Sequence, residues 1–259
     1  RRLTGCVAVW HLAMARCVAV VSTLAVVLGE LYCPHESDFD YGGNIQWYGN
    51  GYSMLGSGGV HGKTSWNLLG GFMEFDFDTS QAHAGVNTNF YTTSPGGTPG
   101  GSNYCDIQDN GHGGICMEMD IIEANGNCGA QATVHTWPNK DGGCDQNGCG
   151  GFESVSGKYN VRADFSTDGY MTVRYNGNIV TYSPSPSSAC KGQVVSVMQS
   201  VGATIESSQW VGWVPHDCPT GGDLGSSRFI VSNIRVEGVV LKGVQPTKCN
   251  SANRTQVLV

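Results

Sequence analysis

The stretch GHGGICMEMDIIEANG, residues 111 to 126, carries three carboxylates, Glu118, Asp120 and Glu123, in a run otherwise rich in Met and Ile. Side chains on a strand alternate between its two faces, so Glu118 and Asp120 point the same way. Glu123 lies an odd number of positions from both, and joins them only if one extra residue forms a β-bulge after Asp120. The segment therefore predicts either a regular strand with Glu123 turned away, or a bulged strand with all three acids on one face.

The composition of the chain favours a β fold and excludes some partners. The 259 residues suffice for one large β domain or two small ones. Lys and Arg number 14 against 21 Asp and Glu, which argues against nucleic acid, because a phosphate backbone needs clustered basic residues. Short aromatic and β-branched runs recur between turn residues, and no amphipathic helix of three turns is expected after residue 32. The chain is predicted to be all-β, a two-sheet β-sandwich or jelly roll.

The N-terminal region differs from the rest. Arg16 precedes an apolar run, residues 17 to 29, that is too short to span a bilayer comfortably. With Met14 as initiator it reads as a secretory signal peptide, and an uncleaved membrane anchor is the alternative. We therefore expect residues 1–31 to be the leader and upstream residues, and residues 32–259 to be one domain. The protein is expected outside the cell or in the cell wall, without stable membrane association.

The cysteines agree with export. Nine of the 11 follow the leader, which predicts a set of disulfides with one cysteine left over and a pairing that sequence does not reveal. Cys144 and Cys149 have a spacing that could suggest a metal knuckle, but no CxxC or HxxxH completes it, so no metal is predicted. A glycosylation sequon, residues 253 to 255, is consistent with the same compartment.

Three acids on one face would suit a particular chemistry. Two carboxylates about 5 Å apart across a glycosidic bond are the arrangement for retaining hydrolysis. One stays ionised to attack the anomeric carbon and the other stays protonated for the leaving oxygen, since ionising two close acids together is costly. Asp120, on the same face, could orient the nucleophile. The alternatives are solvated acids on an exposed strand, or a calcium site.

The surrounding motifs carry a family resemblance. EMDIIEAN, residues 118 to 125, is similar to the EMDIWEAN of glycoside hydrolase family 7, the secreted cellobiohydrolases and endoglucanases that act on cellulose. Residues 68 to 91 follow that family's LLG…FD.D.SQ…G.N….Y pattern without a gap. Counterparts also exist for YCDIQ at residues 104 to 108, GHG at 111 to 113 and CDQNGCGG at 144 to 151. The resemblance implies a concanavalin A-like jelly roll.

The same resemblance implies roles for four residues. Glu118 matches the nucleophile, Asp120 its supporting acid, and Glu123 the general acid/base. His135, in TVHTWPN, matches a histidine beside the family's catalytic centre, where an imidazole could hydrogen-bond the sugar or bias the carboxylates. The alternative for His135 is a core or turn histidine bonded to the backbone. Carboxylates supply both nucleophile and proton transfer, so no cofactor is expected.

Further residues are candidates for binding a sugar chain. Asn87 and Tyr91 match cleft residues of the family and share one strand face, where they could bond sugar hydroxyls or be ordinary sheet residues. Glucan clefts are usually floored with aromatic side chains, whose faces meet the apolar faces of sugar rings. The alternative for any one tryptophan is burial in the core. The candidates are Trp137, Trp210 and Trp213, with Trp47 and Trp66 less favoured.

The chain also departs from the family pattern. It is shorter than typical members, and the long excursion before GHG is absent. Ala84 and Ile115 stand where the family usually has cysteine, and Ile122 replaces its tryptophan. Long loops roof the family's cleft into a tunnel, so their loss predicts an open cleft and endo attack. The compact chain also resembles family 16 glucanases, which share the sandwich and a bulged ExDxxE strand.

These observations together predict a secreted, retaining endo-β-1,4-glucanase. The expected partner is a β-glucan, with cellulose the expected substrate, and the protein is expected to act as a monomer. A family 16-like β-1,3 or mixed-linkage glucanase is one alternative. A non-catalytic glucan-binding wall protein is another, although the presence of all three acids argues against it.

Overall fold

The described chain is built almost wholly of β-strands. A computed structural model describes residues 29–95, 116–137, 144, 148–215, 218 and 221–249. Within these ranges there are thirteen strands and one α-helix, α1, at Ser188–Ser200, so the all-β prediction is confirmed. The strands are β1 Glu30–Tyr32, β2 Phe39–Trp47, β3 Tyr52–Gly62, β4 Thr64–Gln81, β5 Asn87–Thr93, β6 Cys116–Asn125, β7 Gly129–Trp137, β8 Cys149–Glu153, β9 Lys158–Phe165, β10 Met171–Tyr175, β11 Asn178–Ile179, β12 Thr204–Trp210 and β13 Arg228–Gly243.

The strands form one curled antiparallel sheet whose two halves pack against each other. The order is β11-β10-β9-β4-β13-β3-β12-β5-β6-β7-β8, and β1 pairs with β13 while β2 pairs with β3. The first half of β3, residues 52 to 55, pairs with β13, and residues 58 to 61 pair with β12. The sheet therefore divides at β3. We call β11, β10, β9, β4 and β13 the back sheet, and β12, β5, β6, β7 and β8, with the end of β3, the front sheet.

Apolar side chains fill the space between the two sheets. Strand β9 alternates strictly, with Tyr159 and Val161 among its buried residues, as expected for a sheet with one face on a core. Phe75 of β4 and Phe90 of β5 meet across the interface, with ring centroids 4.2 Å apart. On β6, Met119 is fully buried while neighbouring positions are acidic. The two-sheet sandwich predicted from the sequence is thus confirmed.

Helix α1 is a departure from the expectation that no such helix follows residue 32. Its 13 residues begin after Ser187, whose hydroxyl accepts a hydrogen bond from the Cys190 amide. Its four buried residues, at positions 190, 194, 197 and 198, recur at helical spacing, but Gly192 and several serines occupy the other positions, so the sequence marks its polar face only weakly. The helix is instead held by tertiary contacts, because it packs on β4, β6 and β7 and buries Val197 and Met198.

Disulfides tie distant parts of the sandwich together. Bridges join Cys33 to Cys249, Cys128 to Cys218 and Cys144 to Cys190. Cys144 is therefore bonded to a residue of helix α1. Cys149 is buried beside this bridge, with its Sγ 2.7 Å from the Cys144 Sγ.

Several sequence predictions concern residues outside the described ranges. These are most of the leader, the motifs at 104 to 108 and 111 to 113, and the sequon at 253 to 255. Glu30 and Leu31, at the end of the expected leader, pair with Gly238 and Glu237 of β13. None of the described helical residues belongs to a helix long and apolar enough to cross a membrane.

Candidate active site

A β-bulge lies in β6 at the place where a common face for the three acids requires one. Asp120 lies opposite Tyr91 of β5, and the residue that precedes Tyr91, Phe90, lies opposite Ile122. Ile121 is therefore the inserted residue on this side. The register against β7 shifts at the same place, between Asp120 and Glu123. The strand is bulged, so the regular-strand alternative does not hold.

The bulge brings the three acids to one face of the front sheet. Directly opposite residues on antiparallel neighbours share a face, and so do residues two apart along one strand. The partners of the acids on β7 are each two residues apart, which requires all three acids to point to the same side. We call this side the site face. The pairs are Glu118 with His135, Asp120 with Thr133, and Glu123 with Gln131.

The inserted residue is anchored from the back sheet. Ile121 and Ile122 are both fully buried, so the bulge places two consecutive apolar side chains inside. The register leaves Ile121 without an opposite residue, and the buried Tyr175 hydroxyl of β10 donates a hydrogen bond to its carbonyl at 3.0 Å. Burial raises the Tyr175 pKa well above its ordinary value, and nearby negative groups, including Glu123 and Asp120, act in the same direction. This hydroxyl therefore stays a donor.

Two of the acids are buried, which is unusual for carboxylates without a role. Glu118 is 3% exposed and Asp120 is 5% exposed. His135 Nε2 lies 3.4 Å from Asp120 Oδ2, within ion-pairing distance. Gly148, with φ +66°, fits against this ring, since a Cβ there would lie 2.7 Å from His135 Cε1. The structure thus places His135 beside the acids rather than in the core.

Glu123 is held by a chain of side-chain amides. Asn87, which is fully buried, donates from Nδ2 to Glu123 Oε1 at 3.1 Å and to the Trp213 carbonyl at 3.4 Å. Asn89 donates to Asn87 Oδ1 at 3.2 Å. Asn89 in turn donates to Ser208 Oγ at 3.0 Å and accepts from the Ser208 amide at 2.7 Å. This network fixes the rotamers of Asn87 and orients its amide at the carboxylate.

The other predicted binding residues differ in their strand partners and in the exposed fraction of their side chains. Tyr91 is opposite Asp120 on the site face and is 4% exposed. Trp210 is opposite Asn87, so it shares this face, and it is 37% exposed. Trp213, just beyond β12, is 49% exposed. Trp137 ends β7, and its side chain lies outside the described part of the structure.

The two less favoured tryptophans belong to aromatic clusters. Trp66 is 1% exposed and packs edge-on against Tyr32, with ring centroids 5.2 Å apart. Trp47 stacks on Phe39 at 5.2 Å. Neither of these two ring contacts involves the acids.

The sequence analysis did not single out Asn89, Ser208, Tyr175 or Gly148. Asn89 had a usable signal, because it lies two residues from both Asn87 and Tyr91 and so shares their face. Tyr175 and Ser208 had none, since each meets the site from a strand that is far away in the chain.

Comparisons with known proteins support the fold. No protein-family model and no curated protein sequence matches the chain. Among solved structures, a non-specific endo-β-1,3(4)-glucanase of family GH16 is similar over 84% of this chain and 91% of its own, with 12% identity and a TM-score of 0.55. LamA from Zobellia galactanivorans, in complex with laminaritriose and laminaritetraose, matches over 81% and 94%, with 11% identity and a TM-score of 0.55. An endoglucanase I complexed with cellobiose matches over 75% and 78%, with 18% identity and a TM-score of 0.51. At these identities the likeness concerns the β-sandwich fold.

Proposed function

We propose that this protein is a secreted, retaining endo-β-glucanase that acts on β-1,4-glucan. The observation that carries the proposal is the bulge at Ile121, which puts Glu118, Asp120 and Glu123 on one face of the front sheet. Acids at these positions serve a two-carboxylate hydrolysis, whereas a regular strand would have separated them. The fold, shared with glucanases that bind cellobiose or laminari-oligosaccharides, supports the same substrate class.

In the proposed mechanism Glu118 attacks the anomeric carbon and forms a glycosyl-enzyme ester. Glu123 donates its proton to the leaving oxygen in the same step, and then takes a proton from the water that cleaves the ester. Asp120, beside His135, orients the nucleophile. Asn87 is a positioning residue for Glu123, because its buried amide donates to that carboxylate.

Trp210 and Trp213 are the proposed aromatic platform for sugar rings. Both are substantially exposed. Trp210 lies on the site face directly opposite Asn87, whose amide donates to Glu123. An exposed indole presents an apolar face that matches the C–H face of a glucosyl ring. The disulfides of the described chain support the proposed extracellular location, since such bridges persist in oxidising compartments.

A second glucan linkage is also a candidate. Two of the solved structures with the same fold are named for β-1,3 or β-1,3(4) activity or hold laminari-oligosaccharides. A family 16-like β-1,3 or mixed-linkage glucanase is therefore the second candidate. Both candidates use the same acids and differ only in the shape of the glucan that the site face accepts.

The test is to incubate the protein with cellulose, mixed-linkage glucan and β-1,3-glucan, and to measure reducing ends and product sizes. We expect β-1,4 cleavage, with the first products keeping the β-anomeric configuration by NMR. Glu118→Gln should lower turnover by more than about a thousandfold while glucan binding persists, because it removes the nucleophile and keeps the shape.

Glu237→Gln is a matched control, since Glu237 is a partly buried acid on β13 of the back sheet. It should retain full activity. Near-normal turnover by Glu118→Gln would refute the proposed role of Glu118. Glucan binding by the unaltered protein without any cleavage would instead indicate a non-catalytic wall protein.

A further inference from the structure

A second polar pair lies on the site face, two and three strands from the catalytic acids. Glu206 of β12 lies directly opposite Tyr91 of β5 on one side and His61 of β3 on the other. Since Tyr91 lies opposite Asp120, the four residues His61, Glu206, Tyr91 and Asp120 form one row across four strands. At about 4.8 Å per strand, His61 is about 14 Å from Asp120 along the sheet. That is farther than one sugar ring can reach.

The contact between the two side chains fixes the imidazole. His61 Nδ1 lies 2.5 Å from Glu206 Oε2, and Thr204 Oγ1 donates to the other carboxylate oxygen at 3.2 Å. The hydrogen on Nδ1 is therefore directed at Glu206, and no hydrogen bond within the described residues engages Nε2. The Glu206 side chain is 9% exposed, whereas that of His61 is 47% exposed. A nearly buried carboxylate thus holds an exposed ring.

On one side of this ring, β3 and β2 present two glycines. Gly59 lies two residues before His61 on the same face of β3, with Gly42 of β2 opposite it on one side and Ser208 of β12 on the other. A Cβ at Gly59 would lie 3.1 Å from His61 Nε2, so the ring leans over a position that glycine keeps bare. A Cβ at Gly42 would meet nothing within 4 Å. Among the described residues, the two glycines therefore leave an open floor of bare backbone beside Nε2, on the same face as the acids.

The pair does not serve the core. Its neighbours on β12, Ile205 and Ser207, are the ones that face inward and are buried. The charged groups around His61 are Glu206 on β12, Asp40 on β2, and Lys63, which forms an ion pair with Asp40 at 3.2 Å. The hydrogen bond to Glu206 raises the His61 pKa, and burial raises the Glu206 pKa. Burying a carboxylate costs free energy, so a buried acid usually has a role. Here the carboxylate of Glu206 orients an exposed imidazole whose Nε2 lies over the open floor.

We propose that His61 is a sugar-binding residue of a distal subsite, and that Glu206 is the residue that positions it. The Nε2 atom hydrogen-bonds a hydroxyl of a glucosyl unit that lies at least one unit away from the bond being cleaved, over the floor made by Gly59 and Gly42. The inference rests on the proposed glucanase function. It predicts that the protein hydrolyses longer glucan chains more efficiently than shorter ones. Because Gly59 and Gly42 have no side chains, the face of a glucosyl ring can lie directly against their backbone.

The test compares long and short oligosaccharides of whichever series the unaltered protein cleaves, for example cellohexaose and cellotriose. His61→Ala should lower the ratio of kcat/KM for the long substrate to that for the short one by about tenfold, mainly through KM. Glu206→Gln keeps the shape but removes the charge, and should lower the same ratio by a smaller factor. It should also lower the His61 pKa, followed by NMR of the imidazole nitrogens.

Lys191→Ala is the matched control, because Lys191 is another basic residue paired with a carboxylate, that of Asp168, outside the front sheet. It should leave the ratio unchanged. The subsite is refuted if the unaltered protein cleaves glucan and the His61→Ala variant, folded as judged by circular dichroism, keeps the same ratio of kcat/KM for long and short substrates. That result would leave the proposed glucanase function intact. A protein that neither binds nor cleaves any glucan would overturn the proposed function, and the subsite with it.

Discussion

At the scale of single residues, the site depends on how Glu123 is held. Its carboxylate accepts a hydrogen bond from Asn87, whose amide is oriented by Asn89 and Ser208. A general acid must present its proton to the leaving oxygen, so its orientation matters as much as its proton affinity. Each of these amides is therefore expected to affect the acid step more than substrate binding.

The role of Glu123 leads to a prediction about leaving groups. Glu123→Ala should abolish cleavage of glucan but spare aryl glycosides with very good leaving groups, because these need little protonation. Added azide should speed the second step and give a β-glycosyl azide, since it needs no general base. The measurement is the rate for a series of aryl leaving groups, with and without azide. Equal losses across the series, and no azide product, would remove Glu123 from the acid/base role.

At the scale of elements, the bulged strand β6 is stabilised by the opposite sheet. The bulge takes Ile121 out of the pairing with both neighbouring strands, so its carbonyl needs another donor. Tyr175 of β10 supplies it from within the core. The bulge in the front sheet is thus stabilised by Tyr175, a residue of the back sheet.

Tyr175→Phe tests this dependence. The substitution leaves a buried carbonyl without its donor, and should lower the free energy of unfolding by about 1 to 3 kcal/mol. Turnover should also fall, because the bulge sets the direction of Glu123. Urea unfolding and kcat are the measurements. Tyr170→Phe is the control, since Tyr170 lies just before β10 and is only partly buried. Equal effects of the two substitutions would contradict the anchoring role.

At the scale of the whole molecule, the Cys33–Cys249 bridge joins the segment after β1 to the segment after β13. The two cysteines are 216 positions apart in sequence. A crosslink over so long a loop restricts the unfolded chain strongly, so replacing both cysteines with serine should lower the free energy of unfolding by about 2 to 5 kcal/mol. Denaturant unfolding under oxidising conditions is the measurement. Lys248→Ala, which removes only the exposed pair with Glu30, should change little; a loss as large as that of the double variant would contradict the prediction.

The position of the acids in the front sheet also predicts the mode of attack. They lie on β6, with β5, β12 and β3 on one side and β7 and β8 on the other. A glucan chain that crosses the sheet can therefore bind on both sides of the cleaved bond, which suits attack at internal positions. On a soluble substituted cellulose, viscosity should fall sharply before many reducing ends accumulate. Release of mostly cellobiose with little early loss of viscosity would show that attack begins from chain ends.

The sequence by itself determined the all-β class and the three acids, because alternation of polar and apolar residues is a local property of a strand. It also identified the choice at Glu123, since counting from Asp120 shows that only an inserted residue restores the common face. Helix α1 was missed although its buried residues recur at helical spacing, because its other face carries mostly small or uncharged polar residues and its stability comes from packing.

Only the tertiary structure decided that the bulge forms and what supports it. Ile121 could be left out of the pairing because Tyr175, more than fifty positions later, meets its carbonyl. Glu206 and His61, 145 positions apart, face each other only because β12 lies beside β3. Such partners cannot be read from the local sequence pattern, because contacts between strands depend on the order of the strands in the sheet. That order is set by the packing of the whole core.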